Sequence, residues 1–321
     1  MATNGWKRVK RAARAAVIVG FVQALALLPL RVGLALGGLL GRLAWFLSPR
    51  LRRDMRATLA VAFPEKGEAE RDAIARASLV HLGRMGGELI TMRRWDSRLD
   101  DYVEATPETV ALLQRAVARG KGIIMVLGHI GNWELTGRLS RYVQPNAVIA
   151  KRTWHPRLDA LSEELRARYG VGTFWRDDPV TGRAMLKLLR GGGTLGILID
   201  QDIRDVQSVF VPFFGRPAAT PRAAADLALR FGATVVVITC HRRGPRLGDG
   251  HRLEVIEVPY DAAPVDREAE VIRLTAACAA MQEAAIRRHP EEWVWMHQRW
   301  KTAPPGASGS ELGARDGAAT G

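Results

Sequence analysis

GIIMVLGHIGNWE, residues 122–134, opens as an apolar run closed at both ends by glycine, Gly122 and Gly128, the pattern of a strand buried on both faces. Outward from it, helices and strands alternate. Before it, a helix is expected over 107–119, with Thr106 as N-cap, Pro107 at the first position and Gly120 just past the end. Charged and apolar residues at helical spacing predict another over 68–93. After it come a helix over 132–143, a strand over 147–151, helices over 156–169 and 180–190, and a strand over Thr194–Ile199. Val209–Pro221 reads as an apolar loop, and Thr220-Pro221 opens a helix ending at Gly232. TVVVITC (234–240) is again a buried strand, Arg252–Val258 a further one, and 265–288 a long helix. Such alternation predicts an α/β fold with a mostly parallel central sheet covered by helices.

The 321 residues suffice for one large domain or two small ones, and no 20–50-residue period suggests a solenoid. Cys240 and Cys278 offer neither a disulfide framework nor metal-ligand spacing. The formal net charge is +14, and its placement matters more than its size. From Met1 to Arg53 there is no Asp or Glu, but there are ten basic residues: Lys7, Arg8, Lys10, Arg11, Arg14, Arg31, Arg42, Arg50, Arg52 and Arg53. No zinc-finger spacing, recognition helix or aromatic-studded basic sheet accompanies them, so a nucleic-acid partner is not expected. They flank two apolar runs, Ala15–Leu30 and Val32–Leu47, instead. Each run is slightly short of the ~20 residues that span a hydrocarbon core. Three readings stay open: a short or tilted transmembrane helix, a hairpin lying in one leaflet, or a buried pair of core helices. Either membrane reading puts the body of the chain at the cytoplasmic face, because the basic clusters stay on that side. The organisation expected is a membrane anchor region over 1–53, an α/β catalytic domain over 54–301 and a disordered tail over 302–321.

Chemistry is expected where strands end, because ligands of open α/β sheets gather at carboxyl ends. His129 stands there, with Glu134 five residues on. With a sharp turn at Gly131 the two converge, His129 as general base and Glu134 holding its tautomer. Asp200 stands at the end of strand 194–199, and the apolar stretch behind it could floor an acyl chain, with length set around Phe210, Phe213 and Phe214. Lys151, Arg152, Arg166, Arg168 and Arg176 are candidates for binding phosphate, the arginines bidentately. The tryptophans of EWVWMHQRWK (Glu292–Lys301) are read either as packing or as a membrane-facing rim.

In this order, GHIGNWE, IDQD with VFVPFFGRPAAT, and EEWVWMHQRWK resemble the late acyltransferases of lipid A biosynthesis, the lauroyl and myristoyl transferases, and related lysophospholipid acyltransferase-like families. LLPLRVGLALGGLLGRLAW (27–45) and RATLAVAFPE (56–65) look similar to that family's N-terminal region, so the likeness runs over about residues 15–301. Thr58 departs from it, since an Asn is common there. The resemblance implies an acyl carrier protein thioester as donor, a hydroxyl of a lipid A precursor as acceptor, the inner membrane as location, and no cofactor or metal. It implies His129 and Glu134 as the catalytic pair. Asp200 and Arg166 or Arg168 assist, with Arg152 and Asn132 as further substrate-binding candidates. Coenzyme A remains open as the donor, and another phospholipid, glycolipid or aminolipid as the acceptor. GNWE is similar to the spelling in acyltransferases of phosphatidylinositol mannosides. A non-catalytic membrane-bound homologue is the reading from a different class.

Overall fold

The structure, a computed structural model, describes residues 2–306, so most of the tail expected over 302–321 lies outside the described residues. Its helices are α1 (Ala2–Leu25), α2 (Leu30–Leu47), α3 (Pro49–Ala62), α4 (Glu68–Thr91), α5 (Leu99–Tyr102), α6 (Pro107–Ala118), α7 (Pro156–Ala167), α8 (Thr181–Arg190), α9 (Ala223–Phe231) and α10 (Arg267–Arg288). Its strands are β1 (Val103–Ala105), β2 (Ile123–Gly131), β3 (Asn146–Ala150), β4 (Val171–Trp175), β5 (Thr194–Leu198), β6 (Ser208–Phe213), β7 (Arg216–Pro221), β8 (Thr234–Arg242) and β9 (His251–Glu257).

Seven strands form one sheet in the order β1-β9-β8-β2-β5-β3-β4. Every neighbouring pair is parallel except β8 with β9. The alternation of β2 shows why it sits in the middle. Ile124 and Val126 point into one core layer with Leu274 and Cys278 of α10, while Ile123, Met125 and Leu127 point into the other with Leu113 of α6. Each such isoleucine is fully buried, worth about 1.5–3 kcal/mol of transfer free energy. The α/β architecture expected from the sequence is therefore the one observed.

Five elements differ from expectation: β6, β7, the segment Trp133–Arg141, β1 and β4. Val209–Pro221 is not a loop but the β6–β7 hairpin, in register Phe213↔Arg216. Its two-residue turn places Phe214 at φ 51° and Gly215 at φ 72°, the doubly positive backbone of tight hairpins, here without the Asn-Gly that usually announces it. Trp133–Arg141 winds as a 3-10 helix, with the Thr136 hydroxyl donating to the Trp133 carbonyl at 2.6 Å in competition with regular helix bonding. Strands β1 and β4 were not foreseen. One has three residues, and the other is an edge strand whose alternation is blurred by partial exposure.

The two apolar runs become α1 and α2, broken at Ala26–Pro29. Helix α2 is long and apolar enough to cross a membrane, with a mean hydropathy of 1.4 and one third of its residues buried. It is neither free nor enclosed. Gly33, Gly37 and Gly41 lie against Gly87, Gly83 and Leu79 of α4, while Leu36, Leu39, Leu40 and Leu43 are 38–53% exposed on the outer face. Helix α3 runs through position 53/54, where anchor and catalytic domain were expected to divide.

A buried polar seam fastens α4 to the sheet. Glu88, fully buried, accepts from Arg242 Nη1 (2.7 Å), Tyr102 OH (2.6 Å) and Asn132 Nδ2 (2.8 Å), and pairs with His251 Nε2 (3.0 Å). Beside it His81 is held down to about 4, by burial first and by the Arg242 charge, against the opposing pull of Glu292 and Glu88. The folded chain thus refuses a proton that the unfolded chain accepts at the ordinary histidine value. This contribution to stability is complete above that value and is lost as pH falls toward the folded one. Stability should drop by about 2 kcal/mol from about pH 7 to about pH 5 on this account alone. Urea unfolding at the two pH values checks it: the drop shrinks by that amount in His81→Gln, and an unchanged drop refutes the assignment.

Candidate active site

The site is built by two neighbouring parallel strands. Leu127 of β2 lies opposite Leu198 of β5, and the Ile199 amide donates to the Leu127 carbonyl at 3.1 Å. Two residues further along each chain, His129 and Asp200 come side by side. Asp200 Oδ1 is 2.9 Å from His129 Nδ1, and Oδ2 accepts from the His129 amide (2.7 Å) and from Trp293 Nε1 (2.8 Å). An isolated antiparallel bridge between Ile130 and Trp293 brings that indole in. Asp200 is 1% exposed. Burial opposes its ionisation, yet the His129 imidazole and these donors overrule it and keep the carboxyl down at about 2. An ionised Asp200 accepts only, so Nδ1 carries the proton and the imidazole lone pair is on Nε2. The Trp133 ring meets the imidazole edge-on at 4.9 Å.

Glu134 is not the imidazole's carboxylate. It forms a two-point pair with Arg166 of α7, Oε2 to Nε at 3.0 Å and Oε1 to Nη2 at 2.7 Å. The turn at Gly131 explains the divergence. Gly131 has φ 62°, a Cβ there would lie 2.0 Å from the Cys240 carbonyl oxygen, and the chain leaves the sheet into the 3-10 segment. That segment carries Glu134 toward α7, whereas Asp200 is already adjacent through sheet pairing. Both His129 and Glu134 nevertheless line one cavity, as do Arg166, Lys151 and Arg176. Arg166 Nη1 is buried and has no hydrogen-bond partner among the described residues.

Other expected residues lie elsewhere. Asn132 is completely buried and donates to Glu88, so it holds the seam rather than a substrate. Arg152 stands 3.4 Å from Asp177 and 5.0 Å over the Trp175 ring, and Arg168 stands 3.5 Å from Glu164. Neither lines the cavity. Phe213 and Phe214 pack with Phe63, Trp293, Trp295 and Trp300 in an aromatic cluster, and with Phe210 they are absent from the cavity wall. Trp293 and Trp295 are fully buried, which makes those two packing and not a rim, while Trp300 is partly buried.

The cavity encloses about 850 Å³, within the range of small-molecule sites. Leu127, Val148, Leu165, Val171, Met185 and Ile197 form its apolar wall, and Lys301 and Arg204 add positive charge to the basic side, which Asp178, Asp202 and Asp205 in the same lining partly offset. Gln201, missed by sequence reasoning, reaches the heart of it. Its Nε2 lies 3.0 and 3.2 Å from the two ring nitrogens of His129 and 2.8 Å from His297 Nε2. Burial and the neighbouring His129 push the His297 imidazole down, which favours a neutral ring able to accept from the Gln201 amide. Its position directly after Asp200 was the available signal. Outside the cavity, His241, His289 and Glu292 bring ligand atoms within 4.8 Å of one another. There Glu292 already pairs with His241 Nδ1 and accepts from the Arg242 amide, both at 3.1 Å.

Over residues 6–302 the chain matches the profile of the family described as bacterial lipid A biosynthesis acyltransferase. It is 27% identical to the lipid A biosynthesis lauroyltransferase of Escherichia coli (strain K12), over 90% of this chain and 91% of that protein. It is 28% identical to the palmitoleoyltransferase of the same strain, over 88% and 89%. A phosphatidylinositol mannoside acyltransferase of Mycolicibacterium smegmatis is 25% identical over 71% and 73%.

Proposed function

The chain belongs to the bacterial lipid A biosynthesis acyltransferase family, and we propose that it moves a fatty acyl group from an acyl carrier protein thioester to a hydroxyl of a lipid A precursor, at the cytoplasmic face of the inner membrane. One observation carries this reading: an imidazole backed by a buried carboxylate stands at a cavity with an apolar wall and a basic side. His129 Nε2 takes the proton of the acceptor hydroxyl as its oxygen attacks the thioester carbonyl. The tetrahedral intermediate then collapses, the carbon–sulfur bond breaks, and the imidazolium returns the proton to the departing thiolate. Ester and free thiol result. Asp200 holds the tautomer and stabilises the imidazolium while it lasts. Glu134 acts through Arg166, fixing a guanidinium whose unpaired Nη1 is suited to a phosphate of the acceptor. The exposed leucines of α2 provide a face for the bilayer.

Purified protein in detergent, given an acyl carrier protein donor and a tetra-acylated lipid A precursor, should add one acyl chain. His129→Ala should lose all measurable turnover while keeping its circular dichroism. Full activity in that variant defeats the mechanism, and it also separates the catalytic reading from that of a non-catalytic homologue. A coenzyme A donor in parallel assigns the carrier. The similarity to phosphatidylinositol mannoside acyltransferases supports a second acceptor class. Lipid A of a deletion strain that keeps its full set of acyl chains would favour that class.

A further inference from the structure

The corner between α2 and α3 carries a cluster of arginines. Ser48 caps α3, accepting from the Leu51 amide at 3.4 Å, and Pro49 takes the first helical position. Arg52 reaches back and donates Nη1 to the carbonyls of Trp45 (2.7 Å) and Phe46 (3.0 Å), closing the end of α2. Arg56 grips Asp72 of α4 with two bonds, 2.7 and 2.5 Å, and Arg71 donates to the Lys66 carbonyl at 2.7 Å. The guanidinium groups of Arg52, Arg56 and Arg76 lie 6.0, 5.8 and 5.6 Å from the ring of buried Trp45. These side chains are fixed in place rather than waving in solvent.

Arg52, Arg56 and Arg71, together with Arg53 and Glu68, line a cavity of about 450 Å³. Backbone carbonyls satisfy donors without cancelling charge. Among the carboxylates, Glu68 stands 3.6 Å from Arg56 Nη1, and Asp72 is held by the same arginine. Among the described residues Arg53 meets none. The pocket is therefore a preorganised surplus of positive charge. It also adjoins exposed apolar surface. Phe46 and Leu47 are 68% and 78% exposed at the end of α2, in line with the leucines of its outer face.

We infer that this pocket seats the phosphate headgroup of an anionic membrane lipid, distinct from any substrate in the catalytic cavity. The inference rests on the membrane reading of α1 and α2. An apolar face that passes within one helical turn into clustered arginines matches a bilayer boundary. Acyl tails lie along the leucines, and a phosphate meets the guanidinium forks. Neither a free phosphate nor an acidic carrier protein calls for the leucines.

Vesicle flotation tests it with the full chain, on phosphatidylcholine alone and on phosphatidylcholine mixed with phosphatidylglycerol. Arg53→Glu changes the charge by two units and should lower partitioning onto the anionic vesicles by clearly more than the ~30-fold that diffuse attraction accounts for, at about 1 kcal/mol per unit. Its binding to phosphatidylcholine and its turnover in detergent should stay unchanged. Arg50→Glu is the control: the same charge change on the same helix, at a side chain that is 85% exposed and outside the pocket, should cost no more than that diffuse loss of about 30-fold. Equal losses in both variants mean diffuse attraction and overturn the pocket. If glycerol phosphate binds the parent but not Arg53→Glu while the vesicles do not discriminate, the site takes a free phosphate ester and the lipid assignment fails. A raised KM for the carrier-protein donor in Arg53→Glu, measured in detergent, assigns the pocket to that protein instead. Failure of the parent to float with any vesicle refutes the membrane reading itself, which the loss of anionic preference alone does not.

Discussion

Asp200→Asn should lower kcat by about three to four orders of magnitude while leaving KM for the lipid almost unchanged, given the roles proposed for His129 and Asp200. The hydrogen bonds dictate this. Oδ2 of Asp200 accepts from the His129 amide and the Trp293 indole, so only the amide oxygen of an asparagine can stand there. The NH2 group must then face His129 Nδ1, 2.9 Å away, and donate to it. The imidazole is forced into the tautomer with Nε2 protonated, and a protonated Nε2 takes no proton from a hydroxyl. Glu134→Gln behaves differently. One oxygen should still accept from Arg166, the His129 imidazole keeps its partner, and the loss is expected mainly in acceptor KM, by about tenfold or more. Steady-state kinetics with varied acceptor, on variants matched by circular dichroism, separate the two. Full kcat in Asp200→Asn beside a thousand-fold loss of kcat in Glu134→Gln would reverse the roles assigned above.

The site was half legible in the sequence, for a reason that can be stated. A buried apolar strand with a histidine near its carboxyl end points to a candidate site, and the Gly122–Glu134 stretch carried that signal. The partner of the histidine is a matter of strand order. Asp200 meets His129 because β5 pairs with β2, although 71 residues separate them in the chain, whereas Glu134 lies five residues away and turns aside. Local spacing favours the near carboxylate, and sheet topology delivers the far one. Trp293 is a similar case: its spacing with Trp295 left packing and a membrane-facing rim both open, burial decides for packing, and the bridge to Ile130 also aims its N–H at Asp200. The β6–β7 hairpin escaped notice because its turn is Phe-Gly and its strands contain Pro212, Pro217 and Pro221, all signals of irregular chain. The long helices were legible because caps and periodicity agreed over many residues. Thr106 and Pro107 start α6 in the expected way, the threonine accepting from the Thr109 amide at 3.3 Å.

Gly37→Ala should destabilise the folded chain by about 3 kcal/mol or more, although it adds one methyl group to a helix. A Cβ at Gly37 would lie 2.0 Å from the Gly83 carbonyl oxygen, and one at Gly83 would lie 2.0 Å from that of Gly37. Gly41 and Gly87 are nearly as tight, at 2.1 and 2.2 Å from the carbonyl oxygens of Leu79 and Gly33. The atoms in the way are backbone, so no rotamer relieves the contact, and α2 must lift away from α4 along most of its length. This is the small-residue packing that joins helices where lipid provides no hydrophobic drive. Gly86→Ala on α4 is the control, since nothing lies within 4 Å of its Cβ position and alanine is the better helix former by about 1 kcal/mol. Thermal unfolding in detergent should lower the midpoint for Gly37→Ala and hold or raise it for Gly86→Ala; a parental midpoint in the first variant removes the packing argument. Activity should fall with the midpoint. Ser78 of α4 donates to the Trp293 carbonyl at 2.5 Å, and the Trp293 indole in turn holds Asp200. A helix that loosens at Gly37 therefore loosens the carboxylate on which His129 depends.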